Sequence, residues 1–411
     1  MKYKKLGEEC YIVMGQSPES KTYNSKKEGT PFLQGRKTFG RIYPYIDTWT
    51  THPIRIGKKG SVLFSVRAPV GDVNIATEDI CIGRGLASIS MKNKHNLYLY
   101  YLLLNNRECI KNMSTGTVFE SINRSELENL VLKFHEEEEQ CKVEKLLGCI
   151  DKKIELNSKM NNNLQDISKQ LYKRWFIDFE FPNKDGKPYK SSGGKMIDSE
   201  LGEIPKNWNV KTIDDMNLEI SDGNYSNKYP KKSEFVDNGI PFIRGTDFIG
   251  TTISRTGLMF ISEKKHSELK KGHLKENDIL ITTRGEIGRI AYVPKKYIDA
   301  NINAQLIRIN GKTEFPKSFL GNFLQSYKTQ QDISSLTTGS ALQQLPVGKF
   351  KKIKIILPQD NGIIQNFNEL TKCYYEKIDE LENENEILIQ LRDTLLPKLM
   401  NGEINLDNIE I

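Results

Sequence analysis

The feature that most constrains this chain is that it is one unit of about 200 residues written twice. Thr30-Pro31-Phe32-Leu33-Gln34-Gly35 matches Ile240-Pro241-Phe242-Ile243-Arg244-Gly245. Gly60-Ser61-Val62-Leu63-Phe64-Ser65-Val66-Arg67 matches Asn277-Asp278-Ile279-Leu280-Ile281-Thr282-Thr283-Arg284, and each arginine is followed by a glycine, Gly71 and Gly288. Ile82-Gly83-Arg84-Gly85-Leu86 falls on Ile302-Asn303-Ala304-Gln305-Leu306, and Thr115-Gly116-Thr117 falls on Thr338-Gly339-Ser340. The matches keep their order while the offset drifts from 210 (Thr30 on Ile240) to 224 (Asn161 on Asn385). Loop insertions produce such a drift, and coincidence does not.

Inside each unit the pattern changes once. The first ~135 residues are short apolar or alternating runs broken by Gly, Pro, Asn and Asp, which predicts a β-rich mixed domain. A helical pattern follows. Val143, Leu147, Ile150, Ile154, Leu164 and Leu171 recur at spacings of threes and fours, as do Phe367, Leu370, Tyr374, Ile378, Leu381, Leu388 and Leu395. That spacing predicts two long coiled-coil helices. Asn157, Asn161 and Asn385 interrupt the apolar stripe. They are either buried on the seam, where a polar residue fixes register, or just off it and facing water.

The boundaries follow as 1–138 for the first domain, 139–180 for the first helix and 181–206 for a polar Gly/Pro/Ser-rich linker. The second domain takes 207–360, the second helix 361–400 and a tail 401–411. The expected fold is α+β: two β-rich mixed domains separated by two long antiparallel coiled-coil helices, an internal duplication with pseudo-two-fold symmetry.

Composition narrows the function classes. Apolar content of 37% and charged content of 27% describe a globular chain with a wetted surface. No apolar run approaches the ~20 residues that cross a bilayer. The basic start Met1–Gly7 has no apolar stretch behind it, unlike a signal peptide, so a cytoplasmic location is expected. The six cysteines make no CxxC pair and the five histidines no HxxxH pair, so neither a metal site nor a catalytic histidine is expected. A net charge of +7 permits nucleic acid without requiring it.

The duplication has a geometric use. Two equivalent helices packed antiparallel would set one domain at each end. A helix of ~35 residues is ~52 Å long, enough to hold two DNA readers one duplex turn of ~34–36 Å apart. The two domains differ mainly in their polar loops: Gln34-Gly35-Arg36-Lys37 stands opposite Arg244-Gly245-Thr246-Asp247, and Arg84 opposite Asn303 or Ala304. Arg, Lys, Asn and Gln present the donors and acceptors that read base edges. One framework with two sets of loops predicts an asymmetric, bipartite DNA target. A self-contained nuclease and a protein-only scaffold are the other classes open to such a chain.

These segments resemble the specificity (S) subunits of type I restriction–modification systems. Val66-Arg67-Ala68-Pro69-Val70-Gly71-Asp72 with Ile82-Gly83-Arg84-Gly85-Leu86-Ala87 is similar to the first target-recognition domain of that family. Leu171-Tyr172-Lys173-Arg174-Trp175-Phe176-Ile177-Asp178-Phe179, Leu201-Gly202-Glu203-Ile204-Pro205-Lys206-Asn207-Trp208 and the tail Leu395–Ile404 carry the likeness through the chain. The family enters its helices through Pro, two residues, then Glu-Gln. Here the first unit has Glu139-Gln140 but His135 for the proline, and the second keeps Pro358 but has Ile363-Ile364.

The resemblance implies target-recognition domains on double-stranded DNA and no chemistry or cofactor in this chain. Two methyltransferase (M) subunits would use S-adenosylmethionine to methylate adenine, and two restriction (R) subunits would use ATP and Mg. Consistent with this, there is neither an NPP[FY] motif nor a GxxxxGK[ST] phosphate loop, since Gly311-Lys312-Thr313 lacks the upstream glycine.

The candidate DNA-contacting residues are therefore Gln34, Arg36, Lys37, Arg67, Arg84, Thr115 and Thr117 in the first unit. In the second they are Arg244, Thr246, Asp247, Arg284, Asn303, Gln305, Ser340, Gln343 and Gln344. Arg67 and Arg284 share a framework position, which suits phosphate contact or a structural tie better than base reading. Gly35, Gly71, Gly245 and Gly288 are expected at turns of positive φ. Trp175 and Phe176 are either an exposed anchor for an M subunit or the cap of the helix–linker junction. Glu136–Glu139 is expected as the acidic first turn of the first helix.

Overall fold

The computed structural model describes residues 1–113, 121–223, 227–254, 257–339 and 343–406. The chain forms two compact units. Met1–Asn157 joins Asn383–Ile411 in the first, and Ser158–Glu382 makes the second. Each unit thus takes a β-rich domain together with a stretch of both long helices.

In unit 1, Lys2–Lys5 pairs antiparallel with Val131–Phe134. A four-stranded sheet runs Cys10–Met14, Leu86–Met91, Val62–Ser65, Val73–Ile75. A second sheet sets Thr30–Leu33 parallel to Ile80–Ile82, with Tyr23–Asn24, Trp49–Thr50 and Ile56–Gly57 completing it. Unit 2 repeats the plan. Trp208–Thr212 pairs with Lys354–Pro358, and a four-stranded sheet runs Glu219–Asp222, Leu306–Asn310, Ile279–Thr282, Ile290–Tyr292. Ile240–Ile243 lies parallel to Asn301–Ile302. Phe32 stands opposite Cys81 as Phe242 stands opposite Asn301, so the register is duplicated along with the order.

Why the central strands read as unbroken apolar runs is now visible. Val62 and Phe64 face a core containing the helix Asn96–Asn105, whereas Leu63 faces the second sheet with Leu33, Ile82 and Leu86. Ile279 and Ile281 against Leu280 make the same division in unit 2. A strand buried on both faces has no polar side to alternate.

The long helices span Glu137–Tyr172 and Gly362–Asn401. In each unit they run antiparallel. Asn157 lies against Asn385 and Asp151 against Arg392 in unit 1; Ser168 lies against Tyr375 and Tyr172 against Phe367 in unit 2. Asn157 and Asn161 are buried on the seam, not beside it. Asn157 Nδ2 donates to Asn385 Oδ1 at 3.0 Å and to Glu384 Oε2 at 2.9 Å. Four expected seam positions shift by one residue, among them Tyr374 and Leu395, which are half-buried beside buried Tyr375 and Leu396. Leu370 is exposed while Thr371 is buried and donates to the Phe367 carbonyl, and Leu171 is half-buried beside a fully packed Tyr172. The drift of a 3.6-residue helix against a 3.5-residue repeat moves the stripe in this way.

Each helix leaves one unit and finishes in the other unit's core. Leu396, Leu399 and Met400 share a core with Val143 and Leu147 of unit 1. Tyr172, Trp175 and Phe176, which match them at the 224-residue offset, share a core with Ile364, Phe367 and Trp208 of unit 2. Trp175 and Phe176 are 5% and 4% exposed, so they are no exposed anchor for a partner. They fill the place that Leu399 and Met400 fill in unit 1. Residues 181–206 are likewise more than a free linker. Phe181 stacks on Trp208 at 5.1 Å, and Met196–Ser199 forms a hairpin with Gly202–Pro205.

A polar cluster ties each domain to its helices, and the two clusters occupy equivalent positions. In unit 1, Asp151 accepts from Tyr101 Oη at 2.6 Å, Arg392 Nη1 at 2.9 Å and Arg41 Nη2 at 3.2 Å. Burial, then the Asp151 charge, push the Tyr101 phenol far above its ordinary value, so it remains a donor. At the 224-residue offset Asp151 falls on Tyr375 and Ser168 on Arg392, while at the 221-residue offset between the helices Asn96–Asn105 and Lys317–Gln325 Tyr101 falls on Asn322. In unit 2 these make a neutral cluster: Asn322 Nδ2 donates to Ser168 Oγ at 2.7 Å and to Tyr375 Oη at 3.2 Å. The helices have exchanged roles, and the chemistry has changed from charged to neutral.

His135, standing where the family has proline, is buried at the entry to the first helix. Tyr98 Oη accepts from the His135 backbone N–H at 3.0 Å and lies 3.1 Å from Nδ1. Gln140 holds the His135 carbonyl at 2.8 Å, and Glu139 caps the Glu136 N–H at 3.1 Å. In unit 2 Ile364, buried, replaces that glutamine.

Candidate nucleic-acid interface

In both units the candidate residues gather where strands of the two sheets end. In unit 1 the ends of Cys10–Met14, Thr30–Leu33, Val62–Ser65 and Ile80–Ile82 lie together. The Gly15 N–H donates to the Leu86 carbonyl, Gly83 to Leu33 and Val66 to Gly85. Gly223, Asn303 and Thr283 repeat these bonds with Leu306, Ile243 and Gln305. A Cβ on Gly15 would sit 2.2 Å from the Gly83 carbonyl oxygen, and one on Gly223 2.2 Å from that of Asn303. Only glycine permits this approach.

Polar side chains on this framework differ between the units. In unit 1, Gln34 Nε2 donates to Ser17 Oγ at 2.9 Å, and the same hydroxyl accepts from the Arg84 N–H at 3.2 Å. Asp72, nearly buried, is clamped between the guanidiniums of Arg36 and Arg107, each half-exposed. Lys37, Arg67 and Arg84 are exposed. In unit 2, Arg289 takes the place of Asp72. It pairs with Glu286 at 2.8 Å, donates to the Phe248 carbonyl at 2.9 Å and lies over the Phe248 ring. Thr246 takes the place of Arg36 and is exposed.

Several expected contacts are otherwise engaged. Arg244 is bound through Nη2 to Asp247 Oδ1 at 2.7 Å and to the Gly257 carbonyl at 3.0 Å. The hydrogen bond it donates to Asp247 raises the Arg244 guanidinium above its ordinary value. Asp247 is 4% exposed and also accepts the Arg244 N–H, so it braces the turn. Asn303 is buried, its Oδ1 accepting the Gln305 N–H at 3.1 Å. Arg284 donates to Gln344 Oε1 at 2.8 Å, while Gln305 and Gln343 are exposed. Thr115, Thr117 and Ser340 lie outside the described residues. Gly71 and Gly288 take positive φ, +94° and +87°, but Gly35 is extended at −171° and Gly245 is not left-handed.

Sequence reasoning passed over Asp72, Arg107, Ser17 and Arg289. Laying Gly71-Asp72 on Gly288-Arg289 would have shown the charge reversal. All six cysteines are free thiols. Histidines that sequence spacing keeps apart meet at one place, where His266 and His273 approach Asp299. Among the described residues no helix is long and apolar enough to cross a membrane.

Comparison with known proteins agrees with this architecture. The model of the type I restriction modification DNA specificity domain matches residues 1–166 and again 205–391, the two copies of the repeat. The type I restriction enzyme MjaIX specificity subunit of Methanocaldococcus jannaschii is 28% identical over 99% of this chain and 94% of its own length. The HindI specificity subunit of Haemophilus influenzae is 25% identical over 75% of this chain and 77% of its own. The crystal structure of a type I S subunit from M. genitalium superposes with a TM-score of 0.56 at 17% identity, covering 97% of this chain and 95% of that one, which shows a shared fold. The chain belongs to the type I restriction–modification DNA specificity family.

Proposed function

We propose that each unit reads one half of an asymmetric, bipartite double-stranded DNA target, and that the helix pair fixes the gap between the halves. One observation carries this reading: a duplicated backbone holds different polar groups at the same strand ends. Arg36, Asp72 and Arg84 face Thr246, Arg289 and Ala304 at matched positions. Direct reading of bases depends on those groups. Gln34, Lys37 and Arg84 are the proposed readers of unit 1, and Thr246, Gln305 and Gln343 those of unit 2. Arg67 and Arg284, shared by both units, suit phosphate contact.

The chain directs chemistry performed by others. Two M subunits would methylate adenine with S-adenosylmethionine, and two R subunits with ATP and Mg would cleave, in the cytoplasm. Trp175 and Phe176 being buried, the docking surface for M subunits falls to apolar side chains left exposed on the helices. These are Leu156, Ile387 and Leu391 in unit 1, and Met160, Ile167 and Leu370 in unit 2. The test is reconstitution. The purified chain should neither nick nor methylate DNA, and with M subunits it should bind duplex DNA with a steep salt dependence. Methyl transfer by the chain alone would overturn the reading.

A further inference from the structure

Away from the strand-end loops, unit 2 brings His266, His273 and Asp299 together, one ligand atom of each within 4.8 Å of the others. His266 lies on the short helix Glu263–Glu268, which Ser262 caps. His273 bridges to Asn301, and Asp299 precedes that strand with a left-handed φ of +66°, an unusual conformation for a residue with a side chain. His266 Nε2 is 3.3 Å from Asp299 Oδ2, and His273 Nδ1 is 3.2 Å from Oδ1. The two rings are 4.4 Å apart.

The outward nitrogens fix the tautomers. His273 Nε2 meets the Leu269 carbonyl, which can only accept, so the ring proton is on Nε2. Neutral His273 therefore points a bare lone pair from Nδ1 at the carboxylate. His266 repeats the arrangement, with Nδ1 against Oδ1 of the fully buried Asn301 and Nε2 toward Asp299. Two lone pairs and a carboxylate aimed at one point repel. A divalent cation satisfies all three groups. Ligands ~2.0–2.1 Å from a tetrahedral ion stand ~3.3 Å apart; each ring nitrogen meets one of the two carboxylate oxygens at that spacing, and one ligand atom of each residue lies within 4.8 Å of the others. Imidazoles whose far N–H is held by a carbonyl are the ordinary surroundings of a metal-binding histidine.

The repeat supplies an internal contrast. The Ile82 N–H to Arg55 carbonyl bond matches the Ile302 to Gly272 bond, which places Ile56 and Cys81 where unit 2 has His273 and Asn301. Asp79, matching Asp299, is bound instead by Lys58 at 2.7 Å. Among the described residues the constellation belongs to unit 2 alone.

We propose that His266 Nε2, His273 Nδ1 and the Asp299 carboxylate bind one divalent ion of the zinc class. Imidazole and carboxylate together suit zinc, cobalt and nickel. Asp299 is exposed, so the remaining coordination positions open to water. The ion joins the Glu263–Glu268 helix to the strand behind it.

The experiment is a titration of the chelator-treated, reduced, full-length chain with Co²⁺ and then Zn²⁺, read by visible absorption and calorimetry. The wild type and His52→Ala, an exposed control in unit 1, should each take up one ion with the spectrum of nitrogen and oxygen ligands. His266→Ala and His273→Ala should lose it. Asp299→Asn, at an exposed position that leaves the packing intact, should bind more than ~10-fold more weakly. Circular dichroism checks that each variant is folded. No ion on the wild type, or an ion retained at unchanged affinity in Asp299→Asn and both histidine variants, would overturn the proposal.

Discussion

Replacing Arg392 with methionine removes one charge from the cluster that joins the first domain to both long helices. Asp151 is 4% exposed and, among the described residues, would keep the Tyr101 hydroxyl and Arg41 as partners. Breaking a buried ion pair from one side leaves an uncompensated charge, at a loss of ~3–5 kcal/mol. Arg41 stays at 3.2 Å and is half in solvent, which places the expected loss near the lower end, ~3 kcal/mol. For a body of this size that corresponds to a fall in Tm of ~6–12 °C.

The companion variant carries Asp151→Leu together with Arg392→Met. It removes the Asp151 and Arg392 charges and leaves the Tyr101 hydroxyl without its acceptor, a loss of ~1–3 kcal/mol, while the Arg41 guanidinium, whose side chain is 35% exposed, turns to water. The double variant should therefore be no less stable than Arg392→Met alone. Urea unfolding followed by circular dichroism gives the overall stability. Amide hydrogen exchange in the helix Asn96–Asn105 reports the same change within the intact chain. A loss below ~1 kcal/mol for Arg392→Met, or a double variant clearly less stable than the single one, would refute the cluster as the tie between domain and helices.

Other outcomes follow from particular contacts. A Cβ at Gly321 would lie 2.1 Å from Tyr292 Oη, so Gly321→Ala should destabilise unit 2 by ~1–3 kcal/mol despite the better helix propensity of alanine; a stabilised variant in thermal melts would contradict this. Burial holds the His135 imidazole below its ordinary value of 6.5, so the unfolded state takes up more protons in acid. Stability of unit 1 should be complete above that value and fall as the pH drops through the lower folded value. His135→Gln should flatten the slope in melts taken from pH 7.5 downward, at a stability that its lost Tyr98 contact lowers throughout. Arg67→Ala in the assembled complex should reduce the slope of log affinity against log salt by about 1 and leave the preferred sequence unchanged. Removing a heptad from both helices shortens them by ~10 Å, which at ~3.4 Å per base step should narrow the gap by ~3 base pairs. Altered half-site sequences at an unaltered gap would refute the spacer role.

The duplication, the domain type and the two helices were legible in the sequence because each rests on a local periodicity or an ordered match. Less legible was which residues share a body. Trp175 and Phe176 end one helix yet fill the core of unit 2, and no local pattern announces a contact made across the repeat. The seam slipped by one residue at Leu370 and Leu171 because helical drift accumulates along ~36–40 residues. At the candidate interface, residue type does not tell a free side chain from one already engaged. Asp247 and Asn303 look like readers in sequence and are turn braces in structure. The His266, His273 and Asp299 constellation was invisible because the fold, not a spacing, brings its members together.

The central claim is that one framework, used twice, reads two different half-sites at a fixed distance. Methylome sequencing of cells expressing this chain with its methyltransferase subunits tests it most directly. The account predicts a single methylated motif made of two unlike half-sites separated by a constant unspecified gap, with exchange of residues 1–135 for another family member's domain altering one half only. A continuous motif, two identical half-sites, or a change in both halves on that exchange would contradict it.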